Sequence, residues 1–276
     1  MKYMTFNASC SYAGLANLLD WYGVDVEDRV IALKMELPYL FAREGRRYLS
    51  GPMLQGAEWF DLYLHPIGFT FIERRLEREE VCSFLKDHPP AMLGLRVTPE
   101  SKHAVVYTGG GGGEYCFINN KRQDSTEPET LRLTETALLS RLDKTVVVGM
   151  LEKIGPRPSA LHDRLTVSPG VLLALQSEIN DFCTQQQTPA AQAAALNDLF
   201  RPLLLDGITM LELLENTEPA ASLRTVRAQL LPLIRAGRPA VLSESIDLSL
   251  LNTSIRAYHD RIKQICLYHT QTGANP

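Results

Sequence analysis

The chain of 276 residues contains no apolar run that approaches the roughly 20 residues a membrane-spanning helix needs. Its start, Met1 to Ser11, holds no apolar segment of the kind found in a secretion signal. Basic residues are not in excess, since 28 Lys and Arg stand against 32 Asp and Glu. These absences argue against a membrane protein, a secreted protein and a protein that binds nucleic acid through a basic face.

Cysteine is also scarce. The five cysteines stand at positions 10, 82, 116, 183 and 266, and no two of them form a C-x-x-C pair. An odd number without paired spacing indicates neither a disulfide framework nor a zinc site. We therefore expect a cytoplasmic protein with reduced thiols that uses no metal and no other cofactor.

Hydrophobic residues make up 45% of the chain, which is enough for a buried core. The chain divides at residues 154–159, where a glycine and two prolines interrupt regular structure. Helical and strand patterns are mixed before this point, and after it nearly all apolar residues recur at helical spacing. The sequence predicts an α+β domain over residues 1–152 and a small all-α domain over residues 160–276, which is a candidate for homodimerisation.

Apolar spacing and breaker residues predict the order of elements in the first domain. Helices are predicted near residues 11–22, 26–36, 52–64, 77–86 and 134–142. Strands are predicted at residues 69–74, 91–97, 103–108, 114–119 and 145–151. The charged segment 43–47 is interpreted as a solvated loop or a loop at the edge of the cleft. A helix with a cysteine at its start therefore comes first, and antiparallel strands follow, as in papain-like folds.

Cys10, His103 and Asn119 are the candidate catalytic residues. Cys10 comes directly before the first helix, where unpaired backbone N–H groups and the helix dipole favour a thiolate, the species that attacks a carbonyl. His103 opens a strand, and it can take the thiol proton and return it to a leaving group. Asn119 ends the next strand, and a glycine loop brings it near His103, where an amide oxygen can orient the imidazole. The neighbouring Asn120 is an alternative for that role.

These segments resemble a known family. The nucleophile helix of the bacteriocin leader peptidases, papain-like domains that cut after a double glycine, is similar to residues 10–23, CSYAGLANLLDWYG. Their His-aromatic-Val-Val strand is similar to residues 103–107, HAVVY, and Asn119 falls where they carry an Asp. The resemblance covers residues 4–151 and implies a papain-like cysteine peptidase fold that uses Cys10 and His103.

The added C-terminal region is similar in extent to that of a related group, the butirosin-biosynthesis acyltransferases. Members of that group use a comparable Cys and His to move an acyl group from a carrier-protein thioester to an amine. This second resemblance implies the same thioacyl-enzyme chemistry with a different acceptor.

The chain differs from the leader peptidases at three places. Ser11 replaces the Gly after the nucleophile, Met4 replaces the oxyanion-hole Gln six positions before it, and Asn119-Asn120 replaces Asp-Pro. Asn7 is near enough in sequence to donate in place of that Gln. We therefore treat Asn7, Ser11 and Asn120 as candidates for oxyanion or substrate binding.

The leading hypothesis is a cysteine-dependent acyl-transfer enzyme that works through a thioacyl intermediate. Its substrate is a peptide if water resolves the intermediate, or an acyl-carrier protein if an amine does, and the sequence leaves both open. The alternative is a non-catalytic module that binds a peptide or a carrier protein on the same fold. The reactivity of Cys10 separates the enzyme from the binding module.

Overall fold

The computed structural model describes residues 1–6, 9–99, 101–215 and 217–272. Helices and strands mix up to residue 153, and helices dominate after it, so the predicted α+β class is confirmed. The helices are α1 (Cys10–Trp21), α2 (Asp28–Lys34), α3 (Ala57–Leu64), α4 (Arg78–Asp87), α5 (Glu135–Arg141), α6 (Leu161–Thr184), α7 (Pro189–Ala195), α8 (Ile208–Leu213), α9 (Thr217–Ala236) and α10 (Leu248–Thr272). The strands are β1 (Phe41–Glu44), β2 (Arg47–Ser50), β3 (Phe69–Glu77), β4 (Ala91–Arg96), β5 (Lys102–Gly111), β6 (Glu114–Asn119), β7 (Thr130–Thr134), β8 (Thr145–Lys153), β9 (Gln186–Gln187) and β10 (Ala240–Val241).

The first of two compact units comprises Met1–Met35 and Gln55–Ser159 and contains a six-stranded antiparallel sheet. The strand order is β3-β8-β4-β5-β6-β7. Within it, β5 and β6 form a hairpin in which Val105 pairs with Asn119 and Tyr107 pairs with Phe117. Because diagonal neighbours on paired strands lie within reach of long side chains, this register brings His103 near Asn119.

One face of this sheet is covered by α4 and α5. Val81 and Leu85 of α4 pack with alternate residues of the hairpin, such as Val105 and Phe117, in one buried cluster. The alternation matches the two-residue period of a strand, which sends every second side chain to the same face.

Helix α1 packs against β5 and β4 of the same sheet. Gly14 is the residue of α1 that permits this approach, because a Cβ there would lie 2.7 Å from Asn120 Nδ2 and closer still to Met92 Sδ. The close packing fixes α1, and therefore its first residue Cys10, relative to the sheet.

The second unit joins Glu36–Leu54 to the chain from Ala160 onward. Its helices bury an apolar core that includes Leu172, Phe200 and Ile255. The segment between α7 and α8 is wound as two wide π-helical stretches, Leu196–Phe200 and Pro202–Gly207.

The inserted segment of this unit contains the β1–β2 hairpin. Its Tyr48 hydroxyl donates to Glu178 Oε1 at 2.8 Å, and Ser50 Oγ donates to the Pro202 carbonyl at 2.7 Å. Phe41 and Tyr48 are almost fully buried. Residues 36–54 thus belong with the helices that follow residue 160.

Three predictions differ from the structure. The charged segment 43–47 is the β1–β2 hairpin, and Gly45, with φ of +61°, supplies the left-handed residue of its tight turn. The helix predicted over 52–64 begins only at Ala57, because Gly56 has φ of +95° and interrupts it. The two compact units are discontinuous in sequence, and residues 36–54, placed in the first domain by the sequence, lie in the second unit.

Candidate active site

Cys10 is the first residue of α1 and is partly exposed. Ser9 occupies the N-cap position but makes no side-chain cap to the helix. Its hydroxyl instead lies 2.8 Å from the Phe6 carbonyl and 2.8 Å from Asp28 Oδ2. The Ser9 hydroxyl is therefore turned away from the backbone N–H groups of the first turn of α1, the turn in which Cys10 lies.

Asp28 holds the segment that precedes Cys10. Its fully buried carboxylate accepts hydrogen bonds from Thr5 N at 2.9 Å, Thr5 Oγ1 at 2.6 Å and Arg29 N at 2.7 Å, besides its contact with Ser9. Burial raises the pKa of this carboxyl, while the hydrogen bonds from Thr5, Ser9 and Arg29 act in the opposite direction. The sequence patterns did not single out Asp28, because its partners become apparent only once the chain is folded.

His103 and Asn119 are in direct contact. His103 Nδ1 lies 2.9 Å from Asn119 Oδ1, and Asn119 is fully buried. The Asn119 Nδ2 group donates to the Pro128 carbonyl at 2.9 Å. Because only the NH₂ end of an amide can face a carbonyl, Oδ1 must face the imidazole and accept from its Nδ1–H. His103 Nε2 is then the ring nitrogen that can exchange a proton with a thiol.

Glu127, in the loop between β6 and β7, is a third polar side chain at this position. Its Oε2 lies 3.5 Å from His103 Nδ1 and 3.3 Å from Asn119 Nδ2. Sequence analysis missed it, because a carboxylate eight residues after Asn119 in an irregular loop carries no periodic or motif signal.

Asn120 links α1 to β5. It is fully buried, its Oδ1 accepts from Asn17 Nδ2 at 2.8 Å, and its Nδ2 donates to the Ala104 carbonyl at 2.6 Å. Both ends of the amide are thus used inside the protein, which corresponds to a packing role rather than to substrate binding. Cys10 lies four residues before Gly14, and positions four apart share a helix face. Cys10 is therefore on the face of α1 on which Gly14 approaches Asn120.

Ser11 lies at the surface, and its hydroxyl donates to Gln55 Oε1, which places a primary amide beside the first turn of α1. Gln55 was also missed by the sequence analysis, since no spacing relates it to Cys10. Asn7, the remaining candidate for oxyanion binding, lies outside the described residues.

Within the described ranges, no cluster of three or more His, Cys, Asp or Glu side chains is arranged to hold a metal ion. No helix in that part of the chain has the length and apolar character needed to cross a membrane.

The chain is similar to solved structures but not to any family model or curated protein sequence. No family model and no curated protein matches the chain. Among solved structures, the peptidase domain of Streptococcus ComA, a bi-functional ABC transporter involved in a quorum-sensing pathway, aligns with 12% identity and a TM-score of 0.38. The alignment covers 55% of this chain and 96% of that domain. A TM-score of this size carries no inference about activity.

Proposed function

We infer that this protein is a cysteine-dependent acyl-transfer enzyme in which Cys10 is the nucleophile, His103 the general base and acid, and Asn119 the group that orients the imidazole. The observation that carries this proposal is the 2.9 Å contact between His103 Nδ1 and Asn119 Oδ1. It fixes one tautomer of the ring and leaves Nε2 for the thiol. The link from α1 through Asn120 to Ala104, the neighbour of His103, supports an approach of Cys10 to that ring.

The reaction proceeds in two steps. The Cys10 thiolate attacks the substrate carbonyl carbon, and the leaving amine or thiol departs with a proton from His103 Nε2. The product is a thioester on Cys10. His103 Nε2 then takes a proton from water or from an acceptor amine, which attacks the thioester carbonyl and releases the thiolate. Backbone N–H groups at the start of α1 are the donors available to the oxyanion of each tetrahedral intermediate.

The acceptor separates two versions of this function. Water as acceptor makes the protein a peptidase or amidase, and an amine makes it an acyltransferase that draws on a carrier-protein thioester. Both versions use Cys10 and His103 in the same way. Incubation with a peptide library and, separately, with an acyl-carrier thioester plus an amine distinguishes them by the product formed.

The test of the common chemistry is the reaction of Cys10 with iodoacetamide, followed by mass spectrometry. An ordinary thiol with a pKa near 8.5 is only about 0.3% thiolate at pH 6. We expect Cys10 of the unaltered chain to be alkylated at pH 6 at least about tenfold faster than in the His103→Ala variant.

Three of the other cysteines, Cys82, Cys183 and Cys266, serve as internal references in the same digest. Burial raises the pKa of the Cys82 and Cys266 thiols, and raises that of Cys183 to about 12. Their labelling at pH 6 should stay slow in both proteins. If Cys10 labels no faster than these references, or equally fast with and without His103, the catalytic proposal fails and a binding module remains.

A further inference from the structure

Glu127 lies behind the His103–Asn119 pair. We propose that Glu127 is a positioning residue of this site: it locks the Asn119 amide in one orientation and supplies the negative charge that a neutral amide cannot give to a protonated His103. The proposal rests on the proposed function, since it assigns a further residue to the same site.

The Glu127 carboxylate is fixed on several sides. Its Oε2 lies 3.5 Å from His103 Nδ1 and 3.3 Å from Asn119 Nδ2. Its Oε1 accepts from Ser101 Oγ at 3.0 Å, and its backbone N–H donates to Ser125 Oγ at 3.2 Å. Because both carboxylate oxygens have partners and the backbone N–H is also bonded, the side chain has little freedom to turn away from the imidazole, so its charge acts at a fixed place.

The first effect concerns the Asn119 amide. Its NH₂ end faces two acceptors, Glu127 Oε2 and the Pro128 carbonyl. A flipped amide would present its oxygen to both of them and its NH₂ to the His103 Nδ1–H, and every one of these contacts is unfavourable. Glu127 therefore helps to keep Oδ1 towards His103, and the ring keeps the tautomer that leaves Nε2 for Cys10.

The second effect is electrostatic. A carboxylate near an imidazole favours the charged form of the ring, and water weakens the effect in proportion to exposure. The side chains of His103 and Glu127 are only 18% and 20% exposed, so the attraction is partly shielded from solvent. In the proposed reaction His103 becomes positively charged when it takes a proton, and the Glu127 carboxylate lies beside that charge, which ties Glu127 to the reactivity of the nucleophile.

The neighbouring charges do not compete for this position. The other charged side chains near this end of β5 have partners of their own. These pairs are Lys102 and Arg96 with Asp143, Lys121 with the Ser125 carbonyl, and Glu129 with the Tyr3 hydroxyl. Among the residues that the structure describes, the charged group set against the His103 ring nitrogen is Glu127, next to the neutral Asn119 amide.

The test compares three variants of the full chain, Glu127→Gln, Glu127→Asp and Glu129→Gln. Glu127→Gln keeps the length of the side chain and an oxygen for Ser101 but removes the charge. Glu127→Asp keeps the charge, but its shorter side chain holds the carboxylate slightly farther from the His103 imidazole. Glu129→Gln is the matched control, because this carboxylate is two residues away and bonds the Tyr3 hydroxyl at 2.7 Å instead of the imidazole.

The readout is the rate of Cys10 alkylation by iodoacetamide from pH 5 to pH 9. We expect Glu127→Gln to lower the rate at pH 6 by roughly three- to tenfold and to shift the profile towards that of His103→Ala. At pH 9 the rates should coincide, because the thiolate forms there without assistance. Glu127→Asp should restore part of the rate at pH 6, and Glu129→Gln should leave the profile unchanged.

The outcomes separate this inference from the proposed function. If Glu127→Gln keeps the pH profile of Cys10 alkylation of the unaltered chain while His103→Ala loses the fast alkylation at pH 6, the role of Glu127 is overturned and the proposed function stands. Equal losses in Glu127→Gln and Glu129→Gln also overturn it, because the effect would then be general damage to the loop. If His103→Ala itself changes nothing, the proposed function fails first.

Discussion

Replacement of Gly14 by alanine tests whether the approach of α1 to the sheet positions the nucleophile. A Cβ at this residue would lie 2.7 Å from Asn120 Nδ2 and also too close to Met92 Sδ. The methionine end is flexible and can move aside. The Asn120 amide cannot move as freely, because it is bonded to both Asn17 and the Ala104 carbonyl. The helix must therefore shift away from the sheet.

Two opposing terms set the magnitude of this change. Extra atoms in a well-packed core cost about 1–3 kcal/mol, whereas alanine gains about 1 kcal/mol over glycine inside a helix. The net loss of unfolding free energy for Gly14→Ala should be about 0–2 kcal/mol, or a fall in Tm of up to roughly 4–8 °C for a chain of this size. Because Cys10 moves with the helix, its alkylation at pH 6 should fall by about tenfold or more.

The assay is urea unfolding followed by tryptophan fluorescence. Trp21 and Trp59, the chain's two tryptophans, both lie in the first unit and report on it. Gly170→Ala in α6 is the matched control, followed by circular dichroism, because no atom lies within 4 Å of the added Cβ. That variant should gain about 0.5–1 kcal/mol. If Gly14→Ala gains stability in the same way, or loses none of its Cys10 reactivity, the packing argument is refuted.

Three further changes have defined outcomes. Asn120→Ala should lower the unfolding free energy of the first unit by about 1–3 kcal/mol in the same urea assay, because it removes the buried amide that joins Asn17 of α1 to the Ala104 carbonyl of β5; a loss below about 1 kcal/mol would contradict the bridging role. Because folding raises the pKa of the Asp28 carboxyl, its protonation stabilises the folded chain fully below the unfolded-state pKa of 3.8, and this stabilisation is lost as pH rises through the folded-state pKa. The difference in unfolding free energy between the unaltered chain and Asp28→Asn, measured in urea titrations, should therefore shrink as pH rises. A difference that grows with pH would refute this. In a fragment that ends at Ser159, residues 37–53 lack the helices of the second unit that bury their apolar side chains. Replacement of residues 37–53 by a short Gly-Ser linker should therefore raise the soluble fraction of this fragment, measured after centrifugation. Equal solubility with and without the linker would speak against the discontinuous unit.

The parts of the site that the sequence predicted are those with local signals. Cys10 stands before an apolar helical pattern, and His103 and Asn119 stand on two strands joined by a glycine loop. Each of these signals is contained in fewer than about 20 residues, which is the range over which periodicity and turn chemistry act. The register of the β5–β6 hairpin then brings His103 and Asn119 together.

The parts that the sequence did not predict depend on contacts between distant segments. Glu127 acquires its meaning only when the loop after β6 folds back on His103. Asp28 is an ordinary acidic residue until Thr5 and Ser9 surround it. Residues 43–47 read as a charged loop because the helices that bury the apolar side chains on either side of them come more than a hundred positions later in the chain.

The distance in sequence between residues 36–54 and the helices that cover them affects the synthesis of the protein. A ribosome adds about 5–20 residues per second, so it needs roughly 5–20 s to advance from residue 54 to residue 160 and longer to complete the helices beyond. During that interval the β1–β2 hairpin has left the exit tunnel with Leu40, Phe41 and Tyr48 still uncovered. The nascent chain therefore displays an apolar segment between two pieces of a unit that can already begin to fold. We expect this segment, rather than either terminus, to be where molecular chaperones bind the growing polypeptide.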